Sequence, residues 1–396
     1  MSPRGAADSP TPASLHDDGV SAALSLFRRG WTLTRAEVAE RTGWARVTVT
    51  ARLEQLLADG LLREVDGRAR GRGRPAARYA FDAARGVLLV ADVGASGMRL
   101  ARCDLDGNVE DRLDRSGHVA RGPRRVLATV RRGWDRLATD AGLRPVWGVA
   151  ISLPGPIEYP AGRVVDPPIM TGWNDFDVRA SLAPWYGTPV HVENDVNAMA
   201  VGELAATAAA LDGVRDLLLV KVGTGVGAGI ISGGAVVRGA VGAGGDIGHT
   251  EADASGVRTD RPRCRCGKAA CVEAYAGGWA LVRDLQAAGR DVTTADDFLR
   301  LLSVGDPAAR GLLTDAGRIL GTSIATAVSL VNPARVVLGG SIGTSGEHLL
   351  AGVRERVYAR SLPLATRNLR IEQSTLGRDT GVLGLAHELG ELVLGR

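Results

Sequence analysis

At 396 residues, 45% of them hydrophobic, the chain can bury more than one core, and two to three structural units are expected. No apolar run approaches the roughly 18 residues that span a bilayer, and residues 1–19 carry Asp and Pro where a signal peptide needs an apolar stretch, so the cytoplasm is the expected compartment with no membrane partner. The net charge of +4 is concentrated: residues 1–85 hold 14 Arg against 10 acidic residues, which points to a polyanionic partner for that segment. Of 48 basic residues only Lys221 and Lys268 are lysines, so the preference for Arg is chain-wide and by itself says nothing about phosphate.

Residues 1–19, rich in Pro, Ser, Ala and Gly, read as a disordered tail. Apolar spacing from Val20 to Phe27 predicts a first helix. Thr34-Arg35-Ala36-Glu37 is a capping box that opens a short second helix, ended at Thr42-Gly43-Trp44. A third helix is expected from about Ala45 to Asp59, with Val49, Leu53, Leu56 and Leu57 inward, and Leu61 to Val65 reads as a strand. This order, over residues 20–82, is that of a winged helix-turn-helix whose third helix enters the major groove of operator DNA. Its outward positions would be Arg46, Val47, Thr48, Thr50 and Arg52, with side chains suited to base edges and phosphates. A helical protein-interaction module has the same spacing. The next segment favours DNA: Arg68, Arg70, Arg72, Arg74 and Arg78 follow one another without an acidic residue, as in a basic wing. Arg72-Gly73-Arg74-Pro75 is also similar to an AT-hook core that fits a narrow minor groove. A solvated linker is the plain alternative.

From Val87 the texture becomes α/β, with strands such as Val87 to Val93 and Val146 to Ser152 alternating with amphipathic helices. A strand ending in Asp92-Val93-Gly94 is echoed by one ending in Val222-Gly223-Thr224-Gly225, a weak internal symmetry that predicts two lobes and a cleft. Three glycine turns would let backbone N–H groups approach phosphates: Asp92, Gly94 and Ser96; Gly223, Thr224 and Gly225; Gly339 and Gly340, with Asp92 able to hold Mg²⁺ through water. Such turns also close many strand–helix units for steric reasons alone. In Glu193-Asn194-Asp195-Val196-Asn197, after a short strand (Pro189 to Val192) and before a helix (Ala198 to Ala209), a carboxylate can serve as general base on a sugar hydroxyl. Plain N-capping by Asn194 or Asp195 explains the same residues. The most specific signal is Cys264-Arg265-Cys266 with Cys271 and the upstream His249, which together complete a closed, structural tetrahedral zinc shell. A redox-sensing thiol cluster is the alternative, and Cys103 reads as core.

With these segments in this order, and above all with Cys264-x-Cys266-Gly267-x-x-x-Cys271-x-Glu273, the chain resembles the ROK family of repressors and sugar kinases from residue 20 onward. The resemblance implies a two-lobed actin-like ATPase fold (sugar kinase/Hsp70/actin) after the winged domain: a first lobe over residues 86–210, rejoined by a C-terminal helix over 378–396, and a second over 211–377 with the zinc motif. It also implies that Asn194, Asp195, Asp246, His249 and Glu273 contact the sugar, that Asp195 matches the catalytic base, and that His249 serves both zinc and sugar. Family kinases usually carry Asp-x-Gly-Gly-Thr-Lys at the first phosphate turn, whereas this chain has Ala95, Ser96 and Gly97 in the last three places. Asp246 stands for a usual Glu, and Ile169 for a usual Asn. A sugar-responsive repressor, a homodimer or homotetramer, is therefore expected ahead of a sugar kinase, with ATP and Mg²⁺ involved only where kinase activity is retained.

Overall fold

The computed structural model describes residues 15, 17–28, 30–65, 76–207 and 213–395. The stretch expected to form the wing, with Arg68, Arg70, Arg72 and Arg74, lies outside them. So does most of the expected tail.

Helix α1 (Asp18–Ser25) is capped by the Asp17 side chain, which accepts from the N–H groups of Gly19 and Val20. After strand β1 (Thr32–Thr34), helix α2 (Arg35–Thr42) opens on the reciprocal capping box: Glu37 N donates to Thr34 Oγ1 at 3.2 Å and Thr34 N to Glu37 Oε2 at 2.7 Å. That backbone bond, with Arg78 nearby, holds the Glu37 carboxyl below its usual range. Gly43 ends α2 in the left-handed conformation. Helix α3 (Arg46–Ala58) buries Val49, Leu53 and Leu56, and strands β2 (Leu62–Val65) and β3 (Arg78–Phe81) complete a three-stranded antiparallel sheet in the order β1-β3-β2. β1 is too short to leave an apolar pattern. Arg78, read from sequence as part of the wing loop, instead opens β3. The outward position expected for Arg52 is corrected: three residues after Val49 and four before Leu56, it falls on the flank of the inner face. Its guanidinium lies 3.8 Å over the Trp44 ring and against Gly19, where a side chain would collide with it. Arg46 and Val47 point outward, with Val47 81% exposed.

Two five-stranded sheets follow. The first uses β4 (Val87–Val93), β5 (Gly97–Cys103), β6 (Val109–Ser116), β7 (Val146–Leu153) and, beyond the short hairpin β8 (Ile157–Glu158) and β9 (Arg163–Val164), β10 (Val190–Asn194). Helices α4 (Pro123–Asp140) and α5 (Val178–Tyr186) cover one face, and α6 (Asp195–Thr207) leaves the end of β10. The second sheet uses β11 (Leu217–Val222), β12 (Val226–Ser232), β13 (Ala235–Val236), β14 (Arg335–Gly339) and β15 (Arg370–Gln373). Its outer face carries α7 (Glu273–Ala276), α8 (Gly278–Ala287), α9 (Ala295–Ser303), the 25-residue α10 (Pro307–Val331), α11 (Gly340–Gly343), α12 (Glu347–Arg360) and α13 (Pro363–Thr366). The strand orders, β10-β7-β4-β5-β6 and β13-β12-β11-β14-β15, are one topology used twice: in each, the first strand is central, antiparallel to the second and parallel to the fourth. The weak repeat in the sequence is therefore structural: the two sheets form the lobes of an actin-like ATPase fold, and the winged domain precedes them.

Between the sheets lie α6 and the last helix, α14 (Thr380–Val393). They cross backbone to backbone, because side chains at Gly202 and Gly384 would overlap the carbonyl oxygens of Thr380 and Ala198. One face of α6 packs Val196, Met199 and Ala200 on the second sheet. On α14, Val382, Leu385, Leu389 and Val393 join a core that runs without a break from Leu88 and Val90 of the first sheet into Leu24, Phe27, Leu53 and Leu56 of the winged domain. Buried Arg28 seals that junction by pairing with Asp106 and Glu391.

Candidate functional site

The cleft between the lobes holds a cavity of about 300 Å³, at the small end of small-molecule sites. Most of the residues singled out from sequence line it: Asn194, Asp195, Asp246, His249 and Glu273, with the Gly223-Thr224-Gly225 turn. The other two turns reach it through neighbours of the expected residues, Ala95 and Ser341. Asp92, Gly94, Ser96, Gly339 and Gly340 stand behind that wall.

Each residue of Glu193-Asn194-Asp195 has its own task. Asn194 Oδ1 accepts from Val196 N at 2.9 Å and Asn197 N at 3.3 Å, so it caps α6, while its amide donates to the Gly155 carbonyl at 3.0 Å. The capping explanation thus holds for Asn194, and it leaves Asp195, first residue of α6, facing the cleft at a helix N-terminus. Asp195 is buried and accepts a hydrogen bond from Lys221 of the second lobe. Glu193 is equally buried; Oε1 accepts from Asn197, and Oε2 takes the Arg238 guanidinium at 2.7 Å. Arg238 also pairs with Glu388 of α14, which His191 contacts at 3.1 Å, and lies 4.3 Å over Tyr159. Two ion pairs therefore join the lobes within three residues, and the Asp195–Lys221 pair lines the cavity.

Burial raises the Asp92 carboxyl above its usual range, while Lys221 and the Ser152 hydroxyl, 2.7 Å away, pull it back. Glu273 accepts from Val226 N and from Trp279 Nε1, both at 3.1 Å, and a side chain at Gly225 would occupy the carboxylate's place. That glycine is needed for close approach whether or not a phosphate ever meets it.

His249, Cys264, Cys266 and Cys271 offer ligand atoms all within 4.8 Å of one another. The Cys266–Cys271 Sγ separation and the Cys264 Sγ–His249 Nδ1 separation are both 3.7 Å, close to the edge of a tetrahedron with Zn–S bonds of about 2.3 Å. Burial pushes the Cys271 thiol to about 12 and raises Cys264, while at Cys266 burial is outweighed by hydrogen bonds from Lys268 N and the neighbouring thiols, which lower it. The donor set fits a structural zinc ion. Val272 N donates to Thr250 O, which lays Cys271 beside His249 and seats Glu273 two residues on, so the cluster anchors one wall of the cleft. With Nδ1 toward Cys264, His249 keeps Nε2 for the cavity.

Lys221, Arg238 and Trp279 were missed from sequence. Arg238 leaves no local signal, since its partners Glu193 and Glu388 come from other segments, and Trp279, six residues after Glu273, matches no spacing rule for such a pair. Lys221 left one: its rarity.

Among the described residues no helix is long and apolar enough to cross a membrane. The family model described as ROK family matches residues 89–389. A glucokinase of Halalkalibacterium halodurans is 28% identical over 309 residues, covering 74% of this chain and 92% of that protein. A xylose repressor of Bacillus subtilis is 27% identical over 357 residues, covering 89% of this chain and 90% of that protein. The crystal structure of a ROK family transcriptional regulator, a homologue of the Escherichia coli MLC protein, superposes with a TM-score of 0.79 over 95% of both chains at 24% identity, which speaks to the fold. The chain belongs to the ROK family.

Proposed function

We propose that this chain is a sugar-responsive, DNA-binding transcription regulator whose effector sits in the interlobe cleft. The observation that carries the reading is the unbroken core linking the winged domain through α14 to α6, the helix that begins at Asp195. A domain joined in this way is positioned by the body. Sugar hydroxyls would be taken by Asp195, Asp246, His249 and Glu273 in a wall anchored by zinc, with Asn194 holding the start of α6. A ligand that shifts α6 against the second sheet also shifts α14, because the two helices cross without intervening side chains. In a dimer that movement resets the spacing of two recognition helices. Arg46, Val47, Thr48 and Thr50 would meet DNA, joined by Arg70, Arg72 and Arg74.

The test is fluorescence anisotropy with DNA fragments flanking the protein's own coding region against random DNA at physiological salt. A palindromic or repeated site bound tightly by a dimer, with affinity falling steeply as salt rises, is expected. Arg46→Ala should cost about 1–3 kcal/mol of discrimination at one base position. Equal affinity for genomic and random DNA rejects the reading.

A second reading, an ATP-dependent sugar kinase, is favoured by the placement of Asp195 at the mouth of the Gly223-Thr224-Gly225 turn and by the likeness to the glucokinase. ATP and Mg²⁺ would then be required. Sugar-dependent ATP turnover at roughly 1–100 per second is its mark.

A further inference from the structure

The repeated topology makes Asp92 and Lys221 counterparts. Each is the penultimate residue of the central strand of its sheet, and each is followed by Val and Gly; Lys221 lines the cavity, while Asp92 does not line it but adds its charge to the surroundings of the ammonium. Their flanks differ. Asp92 is registered with Arg99 and Ser152, whereas Lys221 is registered with Gly227 and Gly339. Gly340, at φ +82°, adds a third position without a side chain, and a Cβ there would stand 3.1 Å from Lys221 Cγ. A Cβ at Gly223 would stand 3.7 Å from Lys221 Cε, so Gly340 and Gly223 leave a trough along which the four-carbon stem passes from the second sheet to the carboxylate of Asp195.

A compact ammonium suits that trough, and a forked guanidinium does not. In a chain where 46 of 48 basic residues are Arg, a lysine here runs against the composition. Burial disfavours the charge on Lys221, yet Asp195 and Asp92 outweigh it and hold the ammonium above its usual range. One N–H is taken by Asp195, and Lys221 still lines the cavity. Around the cavity, Asp195, Asp246 and Glu273 outnumber the single ammonium, a field that suits a neutral ligand over a phosphorylated one.

We propose that Lys221 is a ligand-reading residue: with Asp195 it forms a fixed donor–acceptor pair that takes two neighbouring oxygens of an unphosphorylated sugar and supplies the counter-charge of the cleft without metal or nucleotide. Asp195 accepts from one hydroxyl, and the free N–H groups of Lys221 donate to the adjacent oxygen. This inference rests on the cleft being the effector site.

The experiment is calorimetric titration of the full chain with monosaccharides and their 6-phosphates, with and without MgATP, for wild type, Lys221→Met and the doubly neutral Lys221→Met/Asp195→Asn. The double variant guards against a fold lost to one unpaired buried charge. Wild type should bind a neutral sugar with the same affinity in both media, and Lys221→Met should bind it at least tenfold more weakly. The single-deoxy analogue that loses most against wild type should lose little further against Lys221→Met, a coupling that a merely structural lysine would not produce. Should Lys221→Met misfold, the double variant is compared with Asp195→Asn alone, and the coupling should fall further in the double variant. Undiminished binding or undiminished coupling overturns the proposal and leaves the regulator reading intact. So does binding that requires MgATP or prefers the phosphate. Wild type that binds DNA and no sugar of either class removes the effector reading and this proposal with it.

Discussion

The two five-stranded sheets share one strand order and do opposite work at the cleft. At the end of the first, a carboxylate stands among Arg99 and Ser152; at the same place in the second, an ammonium emerges between glycines. A duplicated architecture thus supplies an ammonium to the cavity wall from one lobe and a carboxylate outside that wall from the other, and the asymmetry lies in the neighbours of each. The outer surfaces differ as well. The second sheet buries its faces against its own helices and α6, while the first shares one face with the winged domain through α14. One lobe is therefore packed directly on the N-terminal winged domain, and the other meets that core through α6.

The largest effect on this comparison is expected where α14 meets α6. Gly384→Val places a side chain in the Ala198 carbonyl and should cost about 3 kcal/mol or more, seen as loss of a cooperative melt. An unchanged melting curve would mean that the two helices do not hold the lobes together. Next in size is the Cys cluster. Cys266→Ser, or removal of metal with a chelator, should lower the melting midpoint by roughly 5–10 °C and abolish the sugar response, because Glu273 is seated by the same turn. Metal analysis of the untreated protein should give one zinc per chain. Zinc far below that, with thiols that pair on oxidation, would favour a redox cluster.

Smaller, and confined to the first lobe, is the junction with the winged domain. Arg28→Ala removes a buried guanidinium from its pairs with Asp106 and Glu391 and should cost about 2–3 kcal/mol. Sugar affinity should stay the same while the sugar's effect on DNA binding shrinks. Equal loss of both would place the coupling elsewhere.

How far the sequence anticipates this arrangement follows the range of the interactions. The capping box at Thr34, the buried spacing of α3 and the strand–turn segments at Asp92 and Val222 are local, and they stand where local rules put them. The cysteine cluster was legible because three of its ligands fall within eight residues and chemistry allows them few roles. Sequence places the start of α6 three residues late, because Asp195 reads as a site residue and not as the first residue of a helix capped by Asn194. Spacing alone turns Arg52 outward because its neighbours, Gly19 and Trp44, meet it only in the folded domain. The Lys221–Asp195 and Arg238–Glu193 pairs join segments 26 and 45 residues apart, and no spacing rule reaches that far.

The central claim, that ligand in the cleft controls a DNA-binding domain fixed to one lobe, is tested most directly by a paired measurement. Operator binding is titrated with the best-bound sugar, and ATP turnover with the same sugar is followed, for wild type and Asp195→Asn. The account predicts a sugar-dependent change of at least tenfold in operator affinity for wild type, a much smaller change in the variant, the same sugar-free affinity for both, and turnover far below about 1 per second. Turnover within the usual kinase range that Asp195→Asn abolishes, with DNA control untouched by the substitution, would contradict it.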